Sequence, residues 1–280
     1  MTPVAVDRQT LERAKLATFA FFGLAGVAFA SWASRIADAK NELGLGAGEL
    51  GATLFAMSVG SVLALPLTGR VVERFGVVRT IRAGMIAAAL GAVVVGLGVD
   101  TFASRPVVMG GLFLLGVGVG GWDVAMNLEA TDVERHLGRA IMPHFHAAFS
   151  GGTVVTALLG SGLSWAQVPI SVHLTVALLV TIAAGLFALR YCLPHEATAA
   201  GAAAAHREET GTRGRSAWLE PRTLVIGVVV LVAAFTEGTA NDWLAVAFHE
   251  GHHLPTWAGV LAFATFLSFM TLGRIVGTRL

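Results

Sequence analysis

The sequence predicts an all-α, polytopic membrane helical bundle of eight spans, and three observations carry that prediction. First, 55% of the 280 residues are hydrophobic, 13% are charged and the mean hydropathy is +0.72, whereas soluble domains carry about 25% charged residues. Second, the apolar residues gather in eight blocks of the length, roughly 20 residues, that a hydrocarbon layer about 30 Å thick requires of a helix. Third, with the N-terminus placed inside, 16 of the 19 Lys and Arg residues fall on one side of that layer, as basic cytoplasmic loops do.

Span one, Leu16 to Trp32, follows a polar stretch holding Arg8, Arg13 and Lys15. No small-residue cleavage site follows a short apolar run, so it is read as an uncleaved span and not as a signal peptide. Spans two and three, Leu50 to Leu67 and Ile81 to Val99, meet at a basic end with Arg70, Arg74 and Arg79 in the loop and Arg82 at the start of span three. Span four runs from Val107 to Leu128, span five from Phe145 to Ala166 and span six from Ser171 to Leu193. Span seven, Leu224 to Phe248, and span eight, Trp257 to Leu272, close the chain. These blocks are too long for barrel strands and lack their alternation. An open backbone cannot face lipid, which leaves helices.

Only Arg35, Lys40 and Arg105 fall on the outer side. Both termini are therefore expected in the cytoplasm, in a multi-pass protein of the inner cell membrane. Between spans six and seven, Pro194 to Pro221 is polar and Ala-rich, with Arg207, Glu208, Glu209, Arg213 and Arg215. Such a segment cannot bury enough apolar surface to fold alone. The expected organisation is a six-span unit at 1–193, a cytoplasmic linker at 194–222 and two further spans at 223–280.

The formal net charge of +1 points to no nucleic acid, and the single cysteine, Cys192, leaves no internal disulfide or multi-cysteine metal site. No cofactor is expected. The partners expected are the lipid bilayer, a small-molecule substrate and protons.

A weak repeat relates the two parts. Gly69-Arg-Val-Val-Glu73-Arg74-Phe-Gly76 leaves span two, and Gly273-Arg274-Ile-Val-Gly277-Thr278-Arg279-Leu280 leaves span eight. The two lie about 205 residues apart, a spacing that suits parallel six-span halves.

These features resemble the Major Facilitator Superfamily over essentially the whole chain. Its signature loop, Gly-x-x-x-Asp-Arg-x-Gly-x-x-Arg, is matched by Gly69, Arg74, Gly76 and Arg79, with Glu73 in the Asp position. The resemblance implies a transporter, not an enzyme, in which this loop is a conformational latch. It also implies twelve spans, of which about eight are present, so the chain is expected to be a fragment or a truncated product. In the second copy of the loop, Thr278 replaces the acid. Within the superfamily, Asp123-Val-Ala-Met-Asn127 is similar to the acid-x-x-x-Asn pair of the fucose permease group. Phe145-His146 and Glu237 to Trp243 look like a related set of bacterial inner-membrane permeases. Ser31-Trp32-Ala33-Ser34 stands where fucose permease has a first-span carboxylate, and Gly151 to Gly160 lacks the Gly-Pro motif of drug antiporters.

A carboxylate at mid-membrane costs about 2.5–3.5 kcal/mol on insertion scales, so its presence signals a function. Gly116, Gly120, Asp123 and Asn127 share one helical face. Asp123 is the candidate proton-coupling or substrate-binding acid, with Asn127 hydrogen-bonding the substrate. Glu237 and Asn241 supply a second polar site in the other half. His146, with His144 beside it, could assist proton release. Trp32, Trp122 and Trp243 could stack on a sugar ring or anchor the helices at the membrane interface.

The reading is a secondary transporter of a small polar solute, sugar-like, driven by proton symport through alternating access. The rivals are an efflux transporter, a membrane sensor or scaffold that moves nothing, and a zinc protease. The last rests on His249-Glu250-Gly251-His252-His253, a literal His-Glu-x-x-His. Gly251 and Pro255 argue against the single continuous helix which that chemistry needs, and for an external loop. Gly116-Val-Gly-Val-Gly-Gly121 spells a dinucleotide pattern inside a span, where small residues serve helix packing.

Overall fold

A computed structural model of the protein describes residues 6–194 and 220–277. Helix α1 (Arg8–Ala33) begins where Oδ1 of Asp7 accepts hydrogen bonds from the N–H groups of Gln9 and Thr10, at 2.9 and 3.0 Å. That satisfies two of the N–H groups that a helix start leaves orphaned. The chain turns at Ser34 and Arg35 and resumes as α2 (Ile36–Glu42).

Helix α3 (Ala47–Phe75) and helix α4 (Val77–Asp100) share one residue as end and start, Gly76, at φ 83° and ψ 161°. Only glycine adopts that conformation without strain, and it makes the reversal abrupt. Helix α5 (Arg105–Leu137) opens on Pro106 and stops at Gly138, a left-handed cap at φ 64°. Helix α6 (Met142–Trp165) is started from a distance, because Oε2 of Glu134 accepts from the N–H groups of Ile141 (2.6 Å) and Met142 (2.7 Å). Helix α7 (Ile170–Ala188) is held likewise by Asp100, whose Oδ2 accepts from the Ser171 N–H at 2.7 Å. A 3-10 turn at Leu189–Tyr191 follows. Helices α8 (Pro221–Gly251) and α9 (Thr256–Gly277) complete the described chain.

Eight of the described segments are long and apolar enough to cross a membrane, the first being α1 and α2 taken together as Arg8–Glu42. Most outrun the predicted blocks. Hydropathy marks only the oil-soluble stretch, whereas capping and terminal charges continue the helix beyond it. The expected linker begins at Pro194, but Pro221 and Arg222 already belong to α8, since proline suits a first helical turn. Residues 195–219 of that linker, and Thr278 to Leu280 of the second glycine-arginine turn, lie outside the described residues.

The helices alternate in direction and define an Arg35 end and an Arg79 end. Helix α4 packs along α5 and α7, α3 on α5, α1 on α6 and α7, and α9 on α6 and α8. Glycines let the backbones meet: a β-carbon on Gly26 would sit 2.2 Å from the carbonyl oxygen of Phe149, and one on Gly118 2.2 Å from the Ala88 nitrogen. Without a hydrophobic force between helices in lipid, such close packing is the main source of association. The outward faces, with Leu63, Val155, Leu159 and Val180 all more than half exposed, meet the hydrocarbon.

Candidate functional site

Along α5, residues one turn apart form a polar stripe. The Asn127 amide donates to the Asp123 carbonyl at 2.9 Å and to its Oδ1 at 3.3 Å. The Thr131 hydroxyl donates to the Asn127 carbonyl at 2.9 Å. Asp123 and Thr131 are exposed and Asn127 is half-buried, so the stripe is open to a solute. His146, exposed on α6, is close enough to act electrostatically on Asp123 and stands edge-on to Phe22, with ring centres 5.1 Å apart. Three residues singled out in the sequence are thus brought together. The glycines of α5 are shared between two neighbours: Gly116 and Gly120 meet α3 at Met57 and Ser61, whereas Gly118 meets α4.

On α8, Glu237 is half-buried, and the Oδ1 of Asn241 is buried with no hydrogen-bond partner. Trp243 lies against α3, where a β-carbon on Gly51 would be 3.5 Å from its ring. Two tryptophans proposed to stack on a solute are placed otherwise in this conformation. Trp32 is 3% and Trp122 1% exposed, packed in the core, so neither ring face is open to a ligand.

In the glycine-arginine loop, Gly69, Glu73, Arg74 and Arg79 are all exposed. Among the described residues Glu73, Arg74 and Arg79 form no ion pair, and the Arg74 guanidinium lies 5.4 Å from the centre of the Phe75 ring. Arg74, Gly76, Arg79 and Arg82 line a cavity of about 500 Å³ that ends on Glu129 and Leu193. Glu129 is 0% exposed; its Oε1 accepts from the Leu193 N–H at 2.7 Å and its Oε2 has no partner. The sequence reading passed over it because it stands one residue beyond the apolar block ending at Leu128.

At the Arg35 end the structure closes. Arg35 Nε and Asp38 Oδ2 lie 2.8 Å apart, both side chains buried, though not aligned for a hydrogen bond. The Arg35 Nη2 donates to the Val168 carbonyl at 2.7 Å, and the Ser164 hydroxyl donates to Asp38 Oδ1 at 2.9 Å. From α6, the Ser161 hydroxyl donates to the Trp257 carbonyl at 2.8 Å and Ser164 meets the Thr256 hydroxyl at 3.3 Å. From α2, Lys40 pairs with Glu250, and the Asn41 amide lies 2.9 Å from His249 Nε2.

The His-Glu-x-x-His stretch, expected as a loop, is helical in its first three residues and lies at the Arg35 end. Helix α8 runs to Gly251 and is capped at His252, and His253, beyond it, takes φ 55°. His249 and His253 do not share a helix face, the geometry a zinc protease requires.

An α-helical bundle that spans the membrane eight times, sealed at one end around polar side chains, belongs to the class of polytopic membrane carriers. Residues 15–280 match the Major Facilitator Superfamily, and the chain belongs to that family of transporters, which are not enzymes. It is 31% identical over 256 residues to an uncharacterised transporter of Sinorhizobium fredii, covering 91% of this chain and 64% of that protein. An uncharacterised MFS-type transporter of Yersinia pestis is 33% identical over 264 residues, with 93% and 64% covered. The membrane protein MosC of Rhizobium meliloti is 26% identical over 269 residues, with 93% and 60% covered. The chain thus spans less than two thirds of the length of these relatives. The crystal structure of the nucleoside transporter NupG shares the fold, at a TM-score of 0.58 and 13% identity, covering 96% of this chain and 65% of that one.

Proposed function

We propose that this chain forms the larger part of a proton-coupled secondary transporter for a small polar solute, sugar-like in its hydrogen-bonding groups. The single observation that carries the reading is the exposed stripe of Asp123, Asn127 and Thr131, with His146 close to Asp123, in a bundle sealed at the Arg35 end. A membrane-embedded acid beside a histidine can take and release a proton, and the amide and hydroxyl next to it suit a polyhydroxylated solute. Glu237 and Asn241 contribute from the other half.

The excess of Lys and Arg in the loops on one side supports a reading in which both termini of this chain are cytoplasmic and the Arg79 end faces inward, in the inner membrane. Residues 1–193 act as one half and 223–280 as the start of its partner, joined by a cytoplasmic linker. In the opposite state the loop of Gly69, Glu73, Arg74, Gly76 and Arg79 latches the Arg79 end. The likeness to the fucose permease group in Asp123 and Asn127 supports the sugar-like class.

Uptake of a solute panel into proteoliposomes, with and without an imposed proton gradient, tests this. The expected result is gradient-driven accumulation of one polar class. Asp123→Asn should abolish accumulation while sparing exchange of labelled for unlabelled solute. Intact accumulation in that variant would remove the coupling role, and outward movement would make the protein an efflux carrier.

A further inference from the structure

We infer that Lys40, Asn41, His249 and Glu250 form a clasp whose release is the step that opens the Arg35 end; this rests on the alternating-access reading above. The His249-Glu250 part of the motif that spells a zinc site serves instead to join the two halves.

One jaw is α2. It is anchored to the first half, because Asp38 accepts from Ser164 on α6 and Arg35 bonds the Val168 carbonyl in the turn before α7. The other jaw is the end of α8 and the turn leading to α9. There the His249 ring bridges two elements, its Nδ1 bonded to the Leu254 carbonyl and its Nε2 lying 2.9 Å from the Asn41 amide nitrogen. Turn, helix end and α2 are therefore one hydrogen-bonded unit.

Two features make the jaws hold. In the closed arrangement Lys40 is 8% exposed, so its pairing with Glu250 is shielded from the screening that weakens surface ion pairs. The carbonyl end of α8 also faces α2, and the negative pole of a helix favours a nearby cation. Glu250, half-exposed, is the side chain free to re-enter water, so the pair can break in one direction without burying a second charge.

The charges facing this pair come from several elements. Arg35 and Asp38 at the α1–α2 corner neutralise each other, as do Arg105 and Glu49 (3.7 Å) at the starts of α5 and α3. Glu42 and Asp100 lie at the rim.

The test measures distance directly, in the full chain reconstituted in lipid nanodiscs. Spin labels go on Gly48→Cys and Ala247→Cys, both exposed positions, in a Cys192→Ala background. The parent should give one short-distance population by pulsed electron resonance. Lys40→Glu, or Glu250→Lys, should add a longer population, and the double reversal Lys40→Glu with Glu250→Lys should restore the short one. An unchanged distribution in either single reversal, or failure of the double to restore it, would overturn the clasp. Restoration by the double excludes simple misfolding. If the distances respond as expected while the parent moves no solute, the transport reading fails and the clasp stands. If solute moves and the distances do not respond, the clasp alone fails.

Discussion

A β-carbon on Gly116 would lie 2.1 Å from the carbonyl oxygen of Met57, so α5 and α3 touch backbone to backbone. Neither partner can yield, because both atoms at risk belong to helix backbones rather than to the end of a flexible side chain. The same contact sets how far Asp123, two turns along α5, stands from α3.

Gly116→Ala should therefore separate the two helices and destabilise the protein by about 1–3 kcal/mol, the usual cost of overpacking. Gly110→Ala is the matched control, since a β-carbon there meets nothing within 4 Å. It should be neutral or stabilising by up to about 1 kcal/mol, as alanine for glycine is within a helix. Thermal unfolding of both variants in the same detergent checks the difference.

Asp7 predicts a pH effect confined to the start of α1. The Thr10 side chain, then the backbone N–H of Thr10, hold its carboxyl below the ordinary aspartate range. A folded-state pKa below the unfolded one means that the stabilisation is present above the unfolded value and is lost as pH falls through the folded value. Amide hydrogen exchange at Gln9 and Thr10 should therefore be protected at neutral pH and lose that protection below about pH 4. Asp7→Ala should remove the protection at every pH, while exchange in the middle of α1 stays unchanged.

The spans were legible in the sequence because lipid imposes a one-dimensional rule: each crossing needs a run of apolar residues, and a run can be counted. The stripe of Asp123 and Asn127 was legible for a similar reason, since one-turn spacing within a single helix fixes a shared face. Lys40 gave no such signal. It read as a plain outer basic residue, because its partner Glu250 is 210 positions away and only the packed helices bring them together. Glu129 was hidden at the edge of an apolar block, and Trp32, read either as a stacking ring or as an interfacial anchor, is packed in the core. Pairings across helices depend on tertiary packing, which hydropathy and spacing do not encode.

Cys192 should be nearly inert. Cys192 is half-buried, and that burial, then the neighbouring charge of Glu129, push its thiol above the ordinary range. The thiolate is the reactive form, and each unit of upward shift lowers its fraction about tenfold at neutral pH. Alkylation by N-ethylmaleimide at pH 8 should be at least about tenfold slower in the folded protein than after denaturation. Glu129→Gln removes only the smaller cause and should speed the reaction modestly. Equal rates in folded and unfolded protein would show that the Cys192 site is open.

The buried pair of Arg35 and Asp38 makes the sharpest stability prediction. The Nε and Oδ2 atoms are 2.8 Å apart, with side chains 3% and 9% exposed. Asp38→Ala leaves the guanidinium buried with one carbonyl partner, Val168, and strips the Ser164 hydroxyl of its acceptor. Removing one partner of a buried pair typically costs about 3–5 kcal/mol, whereas replacing both with apolar residues of similar volume is often neutral. Asp38→Ala should thus lower the unfolding midpoint strongly, and Arg35→Met combined with Asp38→Leu should recover most of the loss. The double variant should nevertheless loosen α2, because α2 and its corner no longer bond Ser164 or the Val168 carbonyl. Faster amide exchange in Ile36–Glu42 at near-normal global stability would show that the pair's main contribution is to fix the corner rather than to stabilise the fold.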